Sequence, residues 1–446
     1  MKVIKYIYSN EQEFWKEGEL KSEKYEDTLE VTSERKQKVK GFGGCFNEAG
    51  WETLKKLDNQ TRNKILDDLF NEEGCSFNVG RLPMGASDYA LEWYSYDETP
   101  DDYELKNFSI ERDKEYLIPY IKEAIKRKPE ISLFASPWSP PIWMKTKRTY
   151  NYGKLKWEDK TLKAYANYFI KFLEKYEKEG VKVDQVHIQN EPMADQKFPS
   201  CLWSGKELRD FVKYYLGPQM KEKKVAAEIW LGTINGPFVD FQVSMPGCAS
   251  FSEFYDQYVN TVLADKDARK YISGVGFQWG GKHVIEQTEL SYPKIRLMQT
   301  ENECGNGENS WQHAEYVFGL FWHYFQHGVE SYIYWNMVLP EGGVSTWGWQ
   351  QNSMITVQEE TKKVVYQPEF YVMKHFSHFV KPGARKVVTS GHWTSNSVVF
   401  ENPNGDLVVI VGNAMDNDRS FTFECNGESF SASVKSHSIN TFYVEK

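Results

Sequence analysis

Strand-like and helix-like runs alternate from Gly41 to about Lys381, and few architectures accept such a pattern. The strand-like runs are Gly41–Phe46, Phe77–Leu82, Ile131–Ser136, Gln185–Gln189, Glu228–Thr233, Gly274–Gln278, Lys294–Gln299 and Ser331–Trp335. Between them lie helical candidates at Leu54–Asn71, Arg112–Lys128, Lys160–Glu179, Gly205–Lys223, Ser252–Leu263 and Trp311–His327. Regular alternation implies a parallel sheet, and eight units imply a closed (β/α)₈ barrel. A doubly wound open sheet is the alternative, but no GxGxxG follows the first strand.

After Lys381-Pro382-Gly383 the style changes. Short alternating runs at Ser397–Glu401, Leu407–Gly412, Ser420–Glu424, Ser429–Val434 and Ser438–Val444 follow. Asn402-Pro403-Asn404-Gly405 and Asn426-Gly427 between them are hairpin signals. The expected organisation is N-terminal strands at 1–40, a catalytic barrel at 41–380 and a C-terminal β-sandwich at 381–446, with both termini sharing the side domain.

A net charge of −9 argues against nucleic acid or an anionic membrane as partner. No apolar stretch approaches the ~18 residues that span a bilayer. The N-terminus has no sustained apolar core, and six scattered cysteines without a CxxC pair read as reduced thiols. The expectation is a cytoplasmic protein, or a secreted one seen without its leader.

Barrel active sites form at the C-terminal ends of the strands. Reading those ends in order gives Asp88, Trp138, Asn190-Glu191, Gln278-Trp279, Glu301 and Trp335-Asn336. Burying a carboxyl group at a strand end is costly unless it is used or paired. Two such ends, Glu191 and Glu301, suggest a carboxylate pair facing one cleft, the apparatus of glycoside hydrolysis. Asn190 would hold a sugar hydroxyl at the 2-position. Arg81 is placed to pair with a catalytic carboxylate and keep it ionised. The 15 tryptophans include several in loop-like contexts, among them Trp138, Trp143, Trp203, Trp279, Trp335, Trp347 and Trp349, where indole faces can stack on sugar. Metal ligation is not expected, because no His/Asp cluster stands at the strand ends. His323 and His327 lack the HExxH setting, and His187 reads as core. Glu303 is a rival to Glu301, and Cys304 reads as a bystander.

Several stretches together resemble family-30 glycoside hydrolases, the glucosylceramidase-like group: Gly41-Phe42-Gly43-Gly44, Gly80–Asp88, Ser136–Thr146, Gln189-Asn190-Glu191-Pro192, Thr300-Glu301 and Tyr334-Trp335-Asn336. The resemblance covers nearly the whole chain. It implies Glu191 as acid/base after strand four and Glu301 as nucleophile after strand seven, in a retaining double displacement without a cofactor. It also implies that Asp88, Trp138, Asn190 and Trp335 surround the reacting sugar, with Asp88 on hydroxyls far from the anomeric carbon. Gln278, Arg81 and Trp347 complete the expected substrate-binding set. Where the lipid-cleaving members carry His-Trp-Tyr after strand six, this chain has Gln278-Trp279-Gly280, which points away from glucosylceramide. The expected substrate is a β-glucoside or β-1,6-linked glucan. The same scaffold serves β-xylosidase, β-fucosidase, galactanase and glucosylceramidase activities. A non-catalytic carbohydrate-binding protein would have lost a carboxylate, and both are present. The segment Met193–Trp203 and the Trp347-Gly348-Trp349 loop are expected to bound the pocket.

Overall fold

The computed structural model describes residues 2–236 and 255–445. Eight parallel strands form the central sheet: β1 (Gly41–Cys45), β2 (Val79–Met84), β3 (Ser132–Pro137), β4 (Gln185–His187), β5 (Glu228–Ile234), β6 (Ile272–Gln278), β7 (Arg296–Glu301) and β8 (Ser331–Asn336). Parallel ladders run unbroken from β7 back through β1 to β8. The remaining seam, β7 to β8, closes differently. Glu330 N donates to Leu297 O at 2.8 Å at its base. Above that, side chains replace the ladder: Gln299 Oε1 accepts from Ile333 N at 2.6 Å and Asn302 Oδ1 from Trp335 N at 2.8 Å. The sheet is thereby a closed (β/α)₈ barrel.

Val79, Phe134, Trp230, Met298 and Ile333 fill the bore, so it is a packed core and not a channel. His187 lies there too, fully buried between Phe134 and Trp230. A Cβ on Gly232 would approach its ring within 2.6 Å, which explains a glycine at that point of β5. The helices close the outside. Asp159–Lys178 shows why: Leu162, Tyr165, Phe169, Phe172 and Tyr176 recur at helical spacing and are all buried.

Three helices differ from the sequence expectation. Leu54–Asn71 is two helices, Glu48–Lys55 and Asn59–Phe70, because Asn47 and Asp58 each cap a new start. Arg112–Lys128 breaks at Tyr116, since Pro119 has no N–H for the carbonyl of Glu115. Gly205–Lys223 runs on through a π turn at Val212–Leu216, just before Pro218. Of the candidate at Ser252–Leu263, the helix Tyr255–Leu263 is described and the rest lies outside the described residues.

A separate curled sheet of ten strands carries the second core, including Leu29, Val387, Val409, Phe421 and Phe442. Lys2–Asn10 pairs with Ser438–Glu445, and Thr28–Lys38 lies between Arg385–Ser390 and Arg419–Cys425. His375, on the last barrel helix, reaches Ser9 Oγ at 3.0 Å and Thr441 Oγ1 at 2.8 Å and ties both terminal strands to the barrel. Cys45, Cys75, Cys201, Cys304 and Cys425 are buried free thiols, and Cys248 lies outside the described residues. Among the described residues no helix is long and apolar enough to cross a membrane.

Candidate active site

The strand ends of β2, β3, β4, β6, β7 and β8 converge on one cavity of about 290 Å³. Asp88, Trp138, Asn190, Glu191, Glu301, Trp335 and Trp347 line it, as do Trp279 and Trp349. Two loops form its upper wall. Met193 and Phe198 come from the segment after β4, and Trp347 and Trp349 from the loop after β8. Phe198 meets Trp347 with ring centroids 5.9 Å apart, and Trp349 continues the wall to Trp279 at 5.9 Å. Trp143 and Trp203 lie elsewhere. Trp143 donates its indole N–H to Asp97 O, and Trp203 packs among Tyr165 and Phe211.

Glu191 and Glu301 share a donor. Gln278 Nε2 lies 3.1 Å from Glu191 Oε1 and 3.2 Å from Glu301 Oε2, which holds these two oxygens no more than about 6.3 Å apart. Glu191 sits at φ 51, a left-handed conformation uncommon for a glutamate, and Trp279, next to Gln278, sits at φ 48. Such strain persists only where the surroundings fix it, and it gathers at functional sites.

The environments of the two acids differ. Glu301 Oε2 takes Arg81 Nη1 at 2.6 Å and Oε1 takes Trp279 Nε1 at 2.8 Å, in addition to Gln278. Burial raises the Glu301 pKa, and Arg81 with the two neutral donors opposes the rise. Glu191 has the Gln278 amide and, among the described residues, no cation in contact. Burial, then the charge of Glu301, push it up to about 8. Both acids are raised by burial, but the Arg81 cation and the extra donor favour the ionised form of Glu301 over that of Glu191, so the shared proton is drawn to Glu191. Such a split permits protonation of a leaving oxygen by one group and attack at carbon by the other.

Arg81 pairs with a catalytic carboxylate, Glu301, as expected, but neither Arg81 nor Gln278 takes the place in the substrate-binding set that was expected of it, since both stand behind the acids. Each is fully buried and neither lines the cavity. Arg81 also donates to Asn190 Oδ1 at 2.6 Å and Ser136 Oγ at 3.1 Å. Its guanidinium lies 4.6 Å from the Trp138 ring and 5.3 Å from the Trp335 ring, which stack on each other at 5.5 Å. One cation thus fixes a carboxylate, an amide and two indoles. Asp88 faces the cavity. Its Oδ2 accepts from Gln351 Nε2 at 3.2 Å, and its buried Oδ1 has no partner among the described residues. Burial, then Glu301, push its pKa up to about 7.

Glu303 is paired with Lys282 and does not line the cavity. Cys304 does line it, with a thiol pKa driven far up by burial. His323 bonds Lys282 O. Among the described residues no group of three or more His, Cys, Asp or Glu is placed to hold a metal ion. The strand-end reading missed Asn235, two residues past the expected end of β5, and Thr233, whose hydroxyl donates to Asn190 Oδ1 at 3.1 Å. It missed Gln351 as well, two residues beyond the Trp347-Gly348-Trp349 loop, where nothing in the residue type set it apart from Gln350.

The model of the glycosyl hydrolase family 30 TIM-barrel domain matches residues 39–380, and that of the family's β-sandwich domain matches residues 383–442. The lysosomal acid glucosylceramidase of Mus musculus is 31% identical over 445 residues, which cover 93% of this chain and 82% of that protein. The endo-1,6-β-D-glucanase of Trichoderma harzianum is 24% identical over 443 residues, covering 93% of this chain and 86% of that protein. Among solved structures, SrfJ from Salmonella typhimurium has a TM-score of 0.87 at 25% identity and covers 99% of both chains. The chain belongs to glycosyl hydrolase family 30.

Proposed function

We propose that this family 30 glycoside hydrolase cleaves β-glucosidic bonds with retention, Glu301 serving as nucleophile and Glu191 as acid and then base. The observation that carries this reading is the unequal treatment of two neighbouring carboxyls. Glu301 has a cation and two neutral donors, and Glu191 has one neutral donor. Their shared donor supports retention, since retaining pairs stand about 5–5.5 Å apart and inverting pairs roughly 6.5–9.5 Å.

Glu301 attacks the anomeric carbon while Glu191 protonates the departing oxygen. Glu191, now a base, takes a proton from the water that releases the sugar. Asn190 and Asp88 hold sugar hydroxyls, and Trp138, Trp335 and Trp347 pack on its apolar faces. The names of two relatives, a glucosylceramidase and an endo-1,6-β-D-glucanase, support a β-glucosyl unit at the reacting position.

Hydrolysis of aryl β-glucoside, β-1,6-gluco-oligosaccharide and glucosylceramide, followed by NMR of the first-formed anomer, tests the reading. Turnover of at least one with β-product first, abolished in Glu301→Gln, is expected. Initial α-product would sink the double displacement. Full activity in both Glu191→Gln and Glu301→Gln would sink the site.

A further inference from the structure

Gln278 makes more contacts with the reacting groups than any sugar-binding role requires. Its Nε2 has three acceptors in reach: Glu191 Oε1 at 3.1 Å, Glu301 Oε2 at 3.2 Å and Asn190 Oδ1 at 3.3 Å. An amide nitrogen has two hydrogens, so the three cannot be served equally at once. The orientation of the amide is fixed from the other side. Its Oε1 accepts from Thr300 Oγ1 at 2.9 Å and from Arg81 Nη1 at 3.2 Å. A guanidinium has no acceptor, so only the carbonyl end can face Arg81, and the NH₂ end must face the acids. The side chain is fully buried, so bulk water does not compete for these bonds.

We propose that Gln278 is a positioning residue whose amide hydrogen follows the negative charge from Glu301 to Glu191 and back during each turnover. The inference rests on the roles given to the two glutamates above. In the resting enzyme Glu301 is the anion and Glu191 holds the proton, so the stronger of the amide's hydrogen bonds goes to Glu301. On attack, a Glu301 oxygen forms a bond to the anomeric carbon as the bond from that carbon to the leaving oxygen breaks. The Glu191 proton departs on the leaving oxygen. Glu301 is now a neutral ester and Glu191 the anion, so the amide hydrogen turns to Glu191. Water then bonds to the anomeric carbon and gives a proton to Glu191, the ester bond breaks, and the charge returns to Glu301. Both acceptors lie within hydrogen-bond range of one nitrogen, so the exchange needs only a small swing of the amide.

Glutamine suits this position because it does not titrate. The bridge is the same at every pH, and the limbs of the profile belong to the acids. The charged groups facing it are Arg81 from β2, Glu191 from the segment after β4, Glu301 from β7 and Asp88 from the β2 loop. Lys282, paired with Glu303, reaches only the carbonyl of the next residue, Trp279. Loss of the amide leaves the acids with fewer donors, and Gln278 lowers the pKa of both.

Gln278→Met keeps the length and removes the donor, and the test uses 2,4-dinitrophenyl β-glucoside. This leaving group departs without acid help, so the first half-reaction is spared, whereas the second needs Glu191 as base. A pre-steady-state burst followed by a kcat about 100-fold below wild type is expected, the usual scale for one lost charge-stabilising donor. Both limbs of the pH profile should move to higher pH. Equal loss in burst and steady-state rates with unmoved limbs would overturn the proposal. Where Gln278→Met fails to fold, Gln278→His keeps an N–H and adds a titration. It should lose less than the hundredfold expected of the Met variant and gain a further ionisation between pH 5 and 8, and a profile with a full hundredfold loss and no added ionisation counts against the bridge. Wild-type activity in Glu191→Gln would instead remove the underlying assignment, a result separable from any on Gln278.

Discussion

Arg81 and Glu301 belong to strands β2 and β7, which are not neighbours in the barrel, yet Arg81 Nη1 donates to Glu301 Oε2 at 2.6 Å. The guanidinium passes through the centre of the barrel mouth and is fully buried there. A buried ion pair of this kind is weak evidence of net stability, because both charges were taken from water. Its value lies in what the cation does to the acid.

Arg81→Met should therefore damage both function and fold. Removing one partner leaves Glu301 buried beside Asp88 without its cation, which costs about 3–5 kcal/mol. The acid limb of kcat/KM should move to higher pH, because the strongest force holding Glu301 as an anion is gone. Arg81→Lys keeps the charge but not the fork that also serves Asn190 and Ser136, so its effect should fall between. Urea melts and a pH profile check this. A Met variant with an unmoved acid limb would show that Arg81 acts on structure alone.

The raised acid at β4 gives a pH dependence of definite sign. Glu191 is lifted by burial and Glu301 from its ordinary value to about 8. Between those pH values the folded chain holds a proton that the unfolded chain has released, so stability falls as pH rises through that window. Each such group contributes about 1.4 kcal/mol per pH unit at most. Activity should share the upper edge, with kcat/KM lost above pH about 8. Glu191→Gln has no proton to lose. Its stability relative to wild type should be near parity at pH 5 and favour the variant at pH 8. A constant difference between the two proteins across that range would contradict the assignment.

Much of this was legible in the chain, for identifiable reasons. Strands buried on both faces read as short apolar runs, and the acids stand out because Glu191 and Glu301 follow such runs directly. The hairpins of the side domain were visible because Asn426-Gly427 and Asn404-Gly405 supply left-handed turn residues, at φ 52 and 81 and, for Gly405, 94. Arg385–Ser390 was missed because a lysine, Lys386, is buried in it and breaks the alternation, its ammonium held by Gln326 Oε1 at 2.7 Å. Arg81 was read both as a partner of a catalytic carboxylate and as part of the substrate-binding set, and Gln278 as part of that set. Composition at a strand end does not say which side of the carboxylates a side chain occupies. Only their full burial and their mutual bond, 3.2 Å from Arg81 Nη1 to Gln278 Oε1, place them behind the acids.

The β7–β8 seam yields a stability prediction independent of chemistry. Gln299 Oε1 stands in for a backbone carbonyl and accepts from Ile333 N at 2.6 Å. Gln299→Leu fills the same space but leaves that buried N–H unpaired, at a cost of about 1–3 kcal/mol. The loss should appear as a lower urea midpoint with an unchanged slope. Hydrogen exchange at Ile333 should quicken in the same variant. Protection of that amide at the wild-type level would show that the seam closes without Gln299.

Trp347 should decide how substrate is held and leave the chemistry alone. Its ring lies 5.5 Å from Trp349 and 5.9 Å from Phe198, so it joins the loop after β8 to the segment after β4 across the cavity mouth. The loop is anchored next door, where Thr346 N and Oγ1 both donate to Asp88 O, at 2.9 and 3.0 Å. Trp347→Ala removes the stacking face but not this anchor. Aromatic packing beyond area is worth about 0.5–1.5 kcal/mol, so KM should rise about two- to tenfold. The rise in KM should come with little change in kcat, since the indole packs on substrate equally in the ground and transition states. Initial rates over a range of aryl β-glucoside concentrations separate the two constants. A kcat loss as large as the KM increase would mean that the wall helps align Glu191 and Glu301, and that the mouth and the carboxyl pair act as one unit.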